Sequence, residues 1–168
     1  MNLDDIPAGC LCVVDTNVLL YAEQGVSAQA QRFVRRCSNG ELKGVIPQPV
    51  WQEFTHKLML AEAMMRGLTS GSNPAARLGA RPAAVRELTL YRGKVRALVD
   101  LGFTFEPCTR DDLLERAFAL QKQHGLLTND SMVVAVAQRL KAEALVTNDK
   151  AFQVIASPEV YAATDLRL

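Results

Sequence analysis

A short, continuously apolar run that ends in an acidic residue constrains the fold of this chain more than any other feature. The run is Cys10–Val14, and Asp15 follows it directly. A continuous apolar run of this length is typical of a strand buried on both faces, as in a parallel sheet covered by helices. We therefore expect a sheet whose first strand carries an acidic residue at its carboxyl end.

Strand and helix patterns alternate along the rest of the chain. Further strands are predicted at Lys43–Ile46, Gly102–Glu106, Ala144–Thr147 and Val160–Ala163. Helices are predicted from Ser27 to Gly40, Pro49 to Gly67, Val85 to Val99, Thr109 to Gly125, Thr128 to Leu140 and Ala151 to Ile155. This alternation predicts an α/β fold, a three-layer α/β/α sandwich around a parallel sheet.

The length of the chain fits one domain. A chain of 168 residues can bury about 68–70% of the surface that its unfolded form exposes. Residues 1–168 are therefore predicted to form a single domain. Within it, the segment Gly67–Pro82 is rich in glycine, serine, asparagine and proline, and this composition predicts a mobile loop.

Composition limits the class of protein. The chain is 49% hydrophobic and 22% charged, which is ordinary for a globular domain. No apolar run approaches the ~20 residues of a membrane span, and the acidic start Met1–Asp5 is unlike a signal peptide. The cysteines contain no C-x-x-C pair, which argues against a zinc site and favours reduced thiols in a cytoplasmic protein.

Basic residues are concentrated in one stretch of the chain. The net charge is only +1, but Ala61–Asp100 contains seven basic and three acidic residues. This stretch could form an RNA-binding face beside an acidic pocket. It could equally be a solvated helical face, and charge alone favours that second interpretation.

Acidic residues from distant parts of the chain are predicted to meet at one edge of the sheet. Asp15 follows the first strand, Asp149 follows the strand Ala144–Thr147, and Asp130 starts a helix. Glu53 lies in the first turns of its helix. Ligands of open α/β sheets bind outside the carboxyl ends of the strands, where these side chains would converge. Each acid alone could instead be a turn, capping or exposed helix residue.

Such convergence requires a compensating charge. Two carboxylates 4 Å apart repel by about 4 kcal/mol at an effective dielectric near 20. Either a proton or cations must relieve this repulsion. An oxygen-only ligand set favours a hard cation such as Mg²⁺ or Mn²⁺. His56 lies off the apolar stripe of its helix and His124 precedes the helix-ending Gly125, so both are interpreted as surface residues.

Four segments in a fixed order resemble the motifs of one enzyme family. The first is an apolar strand followed by D-T-N, and the second is a helix that begins with proline and carries a glutamate in its first turns. The third is a helix that begins with an aspartate, and the fourth resembles T-x-D-x-x-F. In this chain they are Val13–Leu20, Pro49–Glu53, Leu127–Ala137 and Leu145–Phe152. The ordered set resembles the PIN-domain nucleases, and the resemblance covers nearly the whole chain.

The resemblance implies a parallel sheet between helices and endonucleolytic cleavage of RNA with Mg²⁺ or Mn²⁺. It assigns the metal to Asp15, Glu53, Asp130 and Asp149. It implies supporting roles for Thr16, Asn17 and Thr147, which would orient carboxylates, the phosphate or a water molecule.

Within the family, the chain is most similar to the toxin component of VapBC toxin–antitoxin pairs. That similarity implies a homodimer and a small antitoxin whose tail fills the cleft. Two departures are the extra length near Gly67–Pro82 and Ser131, where a small apolar residue is common. A housekeeping RNA-processing nuclease and a non-catalytic RNA-binding module remain alternatives. A phosphatase is disfavoured because D-T-N lacks a second catalytic aspartate.

Overall fold

The computed structural model describes residues 1–166 and contains a five-stranded sheet. All neighbouring strands are parallel, and their order is β3-β2-β1-β4-β5. The strands are β1 (Leu11–Val14), β2 (Lys43–Pro47), β3 (Thr104–Glu106), β4 (Ala144–Val146) and β5 (Glu159–Tyr161). The predicted parallel sheet is confirmed.

Helices connect the strands throughout. The α-helices are α1 (Thr16–Gln24), α2 (Ala28–Ser38), α3 (Gln48–Met65), α4 (Pro74–Gly79), α5 (Pro82–Glu87), α6 (Leu90–Asp100), α7 (Phe118–His124) and α8 (Thr128–Arg139). Two 3₁₀ turns span Leu3–Asp5 and Lys150–Val154, and a π-helical segment spans Asp112–Ala117. None of the helices within residues 1–166 has the length and apolar character needed to cross a membrane.

The helices form two layers around the sheet. Helix α1 packs on α2 and α3, and α3 packs on α6, whereas α8 packs on α7 and the π-helical segment. Crossovers between parallel strands are right-handed, so the connections β1–β2 and β2–β3 cover one face and the return to β4 covers the other. The three-layer α/β/α sandwich is confirmed.

The central strands explain the apolar run at the start of the chain. Val13 and Val14 in β1, and Leu145 and Val146 in β4, are completely buried. Both faces of these strands are covered by helices, and apolar residues at consecutive positions satisfy that requirement.

The pairing of β1 with β4 fixes the position of the residues that follow these strands. Val14 lies opposite Val146, and the N–H of Asp15 donates to the carbonyl of Val146 at 2.9 Å. Asp15 and Thr147 therefore leave the sheet side by side at its carboxyl edge.

The segment Gly67–Pro82 contains a helix, contrary to the prediction of a loop throughout. Asn73 caps α4, because its Oδ1 accepts from the N–H of Ala76 at 3.2 Å, and a proline occupies the first turn. Leu78 of α4 is buried against α3 and α5. Arg77 and Arg81 donate to the carbonyls of neighbouring loop residues at 2.9 and 2.6 Å.

The single helix predicted from Val85 to Val99 is divided into α5 and α6. The division is made by Glu62 of α3, a buried residue. Its two oxygens accept from the N–H groups of Thr89 and Tyr91, both at 2.9 Å, and so cap the start of α6. A carboxylate at a helix N-terminus is also favoured by the helix dipole. Helix α1 was likewise absent from the sequence prediction.

The cysteines are free thiols, as the sequence predicted. Cys12 and Cys37 are buried in the main core. Burial raises the pKa of Cys37 to about 12, so this thiol stays protonated and unreactive near neutral pH.

A buried ion-pair network joins the π-helical segment to α8. Asp112 is completely buried, and it exchanges hydrogen bonds of 2.9 and 3.1 Å with Thr109 in a capping-box arrangement. Arg139 binds Asp112 at 3.0 Å and Glu106 at 2.7 Å. Burial by itself raises the pKa of Asp112, but the hydrogen bonds from Thr109 and Arg139 outweigh it and the pKa is lowered.

This network predicts a specific loss of stability in acid. Because the pKa of Asp112 is lower in the folded chain than in the unfolded one, its contribution is complete above the unfolded value of ~3.9 and is lost as pH falls toward the folded value. Urea unfolding at several pH values should show a flatter acid branch for Asp112→Asn than for wild type. Arg139→Gln should lower the free energy of unfolding by up to about 3 kcal/mol at neutral pH, because it leaves the buried Asp112 carboxylate with only the partly exposed Arg116, at 3.5 Å, as its ion-pair partner.

The exposed neighbour Asp111 supplies the matched control for this experiment. Asp111→Asn should leave both the free energy of unfolding and its pH dependence close to wild type. An acid branch that is identical in wild type and Asp112→Asn would contradict the role of this network.

Candidate metal centre

Asp15 occupies the turn from the central strand β1 into α1. It is the N-cap of α1, and its Oδ1 accepts from the N–H of Thr16 at 2.7 Å. The strand-to-helix turn holds the carboxylate at the carboxyl edge of the sheet, where the sequence predicted it.

Two neighbouring polar side chains hold the other oxygen of this carboxylate. The hydroxyl of Thr147 donates to Asp15 Oδ2 at 2.6 Å, and Asn17 Nδ2 donates to the same oxygen at 2.5 Å. Asn17 Oδ1 accepts from the N–H of Asn148 at 3.1 Å. The D-T-N segment after β1 is thereby tied to the segment after β4.

Glu53 joins this group from α3. Its Oε2 accepts from the hydroxyl of Thr16 at 2.9 Å, and its Oε1 forms an ion pair with Lys57 Nζ at 2.7 Å. Thr16, which the sequence singled out as a supporting residue, is buried and contacts both Asp15 and Glu53.

The remaining two acids come from the start of α8 and from the turn after β4. Asp130 is half-buried in the first turn of α8. Asp149 is exposed and caps the 3₁₀ turn after β4, where its Oδ1 accepts from the N–H of Ala151 at 2.8 Å. The N–H of Asp149 donates to the Thr147 hydroxyl at 3.0 Å.

The acids perturb the pKa values of one another. Burial raises the pKa of Asp15, and the negative charges of Glu53 and Asp149 raise it further, against the lowering effect of its hydrogen bonds. Burial also raises the pKa of Asp130, and the charges of Asp149, Asp15 and Glu53 act in the same direction. The structure therefore brings all four predicted acids into one neighbourhood of unfavourable negative charge.

Glu53 is the exception because a cation contacts it. Burial raises the pKa of Glu53, but the ion pair with Lys57 and the hydrogen bond from Thr16 outweigh burial, and the pKa is lowered. Both Glu53 and Lys57 are nearly half exposed, so solvent screens this pair.

The carboxylates are grouped loosely rather than around one point. Within residues 1–166, no three histidine, cysteine or acidic side chains are gathered tightly enough to hold a metal ion as they stand. Hydrogen-bond donors of the chain already bind the carboxylates of Asp15, Glu53 and Asp149. The set still fits a hard divalent cation by its chemistry, since it offers carboxylate oxygens and an excess of negative charge that burial makes unfavourable.

Two residues of this region were not identified from the sequence. Lys57 lies four residues after Glu53, and this helical spacing was a usable signal for the ion pair. Asn148 exchanges hydrogen bonds of 2.7 and 2.9 Å with the backbone of Ala163 and so fixes the segment after β4. No local sequence pattern indicates that second contact.

The other sequence predictions near the site have clear outcomes. His56 is exposed and His124 is half-buried, and neither joins the carboxylates. Ser131 is completely buried, where its hydroxyl donates to the carbonyl of Thr128 and accepts from Gln121, both at 2.9 Å. These bonds satisfy a polar group at a position where a small apolar residue is common.

The fold and this arrangement of acids define the class of protein. The family model of the PIN domain matches residues 12–158, which is most of the chain. The chain belongs to the PIN domain family, as its motifs indicated.

Solved structures with a similar fold come from toxin–antitoxin complexes. One is the crystal structure of VapBC2 from Rickettsia felis bound to a DNA fragment from their promoter, with 14% identity, a TM-score of 0.56, and coverage of 90% of this chain and 98% of that chain. Another is a toxin–antitoxin complex from Klebsiella pneumoniae, with 20% identity, a TM-score of 0.55, and coverage of 94% of this chain and 99% of that chain. The chain matches no curated protein.

Proposed function

We propose that this protein is a metal-dependent endoribonuclease in which Asp15, Glu53, Asp130 and Asp149 hold one or two Mg²⁺ or Mn²⁺ ions. The observation that carries the proposal is the grouping of these acids at the carboxyl edge of the sheet, where burial and then the charges of the neighbouring acids raise the pKa values of Asp15 and Asp130. Membership of the PIN domain family supports it. Bound ions of this kind lower the pKa of a water molecule and neutralise the charge of a scissile phosphate.

Residues around the acids would stabilise and orient the carboxylates for metal binding. Thr147 and Asn17 stabilise the ionised form of Asp15 and fix its orientation through their hydrogen bonds to Oδ2. Thr16 and Lys57 do the same for Glu53. Outer contacts of this kind commonly change metal affinity or activity by about 10–100-fold when removed.

The reaction expected of this site is hydrolysis. Water attacks the phosphorus, the P–O3′ bond breaks, and the departing O3′ receives a proton. The products are a 5′-phosphate and a 3′-hydroxyl, because the ribose 2′-oxygen takes no part. No histidine contacts the acids within residues 1–166, which agrees with a route that does not activate the 2′-hydroxyl.

Removing one acid should abolish cleavage without unfolding the protein. With a structured RNA and Mn²⁺, Asp15→Asn and Asp130→Asn should each reduce the initial rate more than about 100-fold. Each variant loses a proposed metal ligand itself, and this loss should exceed the effect of about 10–100-fold of losing a hydrogen-bond partner of a ligand. Asp100→Asn, an exposed acid at the end of α6, is the control and should cleave at the wild-type rate.

Metal removal gives the complementary test. Cleavage should stop in EDTA and return with Mn²⁺. Cleavage that persists in EDTA, or equal rates in wild type and Asp15→Asn, would contradict the mechanism. RNA affinity that falls steeply with salt, without metal dependence or cleavage, would instead identify a non-catalytic RNA-binding module.

We further propose that the protein is the toxin of a type II toxin–antitoxin pair that acts in the cytoplasm. The fold it shares with the two toxin–antitoxin structures supports this role. A groove of about 300 Å³ on the α1–α2 side also supports it. Its apolar lining includes Leu19, Val34, Phe54 and Leu98, and Glu23 and Lys94 form an ion pair of 2.6 Å at its rim. Such a groove suits the apolar face of a small partner's helix.

A second exposed apolar surface supports self-association. Leu114 and Phe118 lie one helical turn apart and are 40% and 49% exposed. Contiguous exposed apolar patches mark interaction surfaces, and these two side chains could form the centre of such a patch. We assign this surface to a homodimer.

Co-expression tests the partner. The small open reading frame next to the gene should relieve growth inhibition in the native host, and its product should co-purify. Ala97→Glu, which places a charge in the groove, should weaken the complex, whereas Ala83→Glu on exposed α5 should not. Harmless expression of the toxin alone, with no small partner encoded nearby, would favour a housekeeping RNA-processing nuclease.

A further inference from the structure

A second concave site adjoins the carboxylates at the same edge of the sheet. It is a cleft of about 350 Å³ between the start of α3, the segment after β3 and the start of α8. Strands β2 and β3, which precede two of these walls, pair in register at Pro47 and Glu106. The side chains that line it include Gln48, Pro49, Gln52, Arg110, Asn129 and Met132. Gln52 directly precedes Glu53, and Asn129 directly precedes Asp130.

The cleft has an apolar floor and amide walls. Pro49 and the buried Met132 supply apolar surface. Gln48 is fixed, because its Oε1 accepts from the N–H of Cys108 at 3.0 Å, whereas Gln52 and Asn129 are exposed. An amide presents a donor beside an acceptor, which matches the adenine edge formed by N6 and N7. Unpaired RNA bases are recognised by hydrogen bonds to their edges and by stacking on guanidinium planes.

The charge of the cleft is opposite to that of the neighbouring acids. Arg110 is exposed at its wall, and none of the residues that line the cleft within the described part of the chain is acidic. Helices α3 and α8 both begin there, and helix N-termini attract anions. The surroundings therefore favour a phosphate-linked nucleoside. The volume of the cleft falls in the range of ~300–1,000 Å³ that is usual for ligand pockets.

We propose that this cleft binds one unpaired adenosine nucleotide of the RNA, next to the phosphate that is cleaved. Gln52 and Asn129 bind the base edge, and Arg110 binds the backbone phosphate or stacks on the base. The inference rests on the proposed nuclease function and adds to it a site that selects the sequence at the cut.

The test uses two double variants of matched composition. Gln52→Ala/Arg110→Ala alters the cleft, and Gln24→Ala/Arg35→Ala removes the same residue types from exposed positions that do not line it and lie outside the basic stretch Ala61–Asp100. Each is made in the Asp130→Asn background so that the RNA stays intact. Fluorescence anisotropy is measured with labelled short oligoadenylate and oligouridylate. All four changed positions are exposed, and equal melting temperatures verify that each variant is folded.

The cleft variant should bind oligoadenylate about tenfold more weakly, with a smaller change for oligouridylate, and the matched control should bind both as the parent does. Equal affinity of the parent for both RNAs, or an unchanged preference in the cleft variant, would overturn the inference.

Cleavage by the active enzyme separates this inference from the proposed function. In the active background, the cleft variant should still cut RNA with Mn²⁺ but lose its preference for cuts beside adenosine. If the wild type cuts and the variant keeps that preference, the cleft inference alone fails. If the wild type cuts no RNA with Mn²⁺, the proposed function fails.

Discussion

Repulsion between carboxylates is the constraint on which the proposed metal site at the carboxyl edge of the sheet depends. The parallel pairing of β1 with β4 places Asp15 beside Thr147, and the starts of α3 and α8 bring Glu53 and Asp130 into the same neighbourhood. A fold gains nothing in stability from half-buried acids of like charge. Burial, and after it the charges of the neighbouring acids, raises the pKa values of Asp15 and Asp130. A bound divalent cation would offset this cost, and for that reason we propose a cation at this edge.

The chain relieves part of this repulsion with its own groups. Lys57 neutralises Glu53, while Thr147, Asn17 and the N–H of Thr16 stabilise the charge of Asp15. The hydrogen bonds to Asp15 and the ion pair of Lys57 with Glu53 have different consequences for cation binding. The hydrogen bonds orient Asp15 toward the edge of the sheet, whereas the Lys57 ammonium competes with any other cation for Glu53. The four acids are therefore not equivalent, and Asp130 has the least support from the chain.

The sequence was sufficient to predict the sheet, its central strands and the position of Asp15 after β1, because these depend on local and strong signals. A continuous apolar run indicates a strand buried on both faces, and acids directly after such runs must lie at its carboxyl edge. The sequence was insufficient to predict α1, whose N-cap is Asp15 itself. It was also insufficient to predict the break between α5 and α6, which Glu62 of a distant helix creates. Helix α4 did have a signal in Asn73-Pro74, but the surrounding glycine and serine residues obscured it.

The most direct test of the account is a carbon-detected NMR titration of the Asp15 and Asp130 carboxyl groups, with and without Mg²⁺. Without the ion, both pKa values should lie above the ~3.9 of an unperturbed aspartate. With saturating Mg²⁺ both should fall, because the cation favours the ionised forms. Ordinary pKa values in the absence of the ion, or raised values that Mg²⁺ leaves unchanged, would contradict the claim that these acids form a cation site.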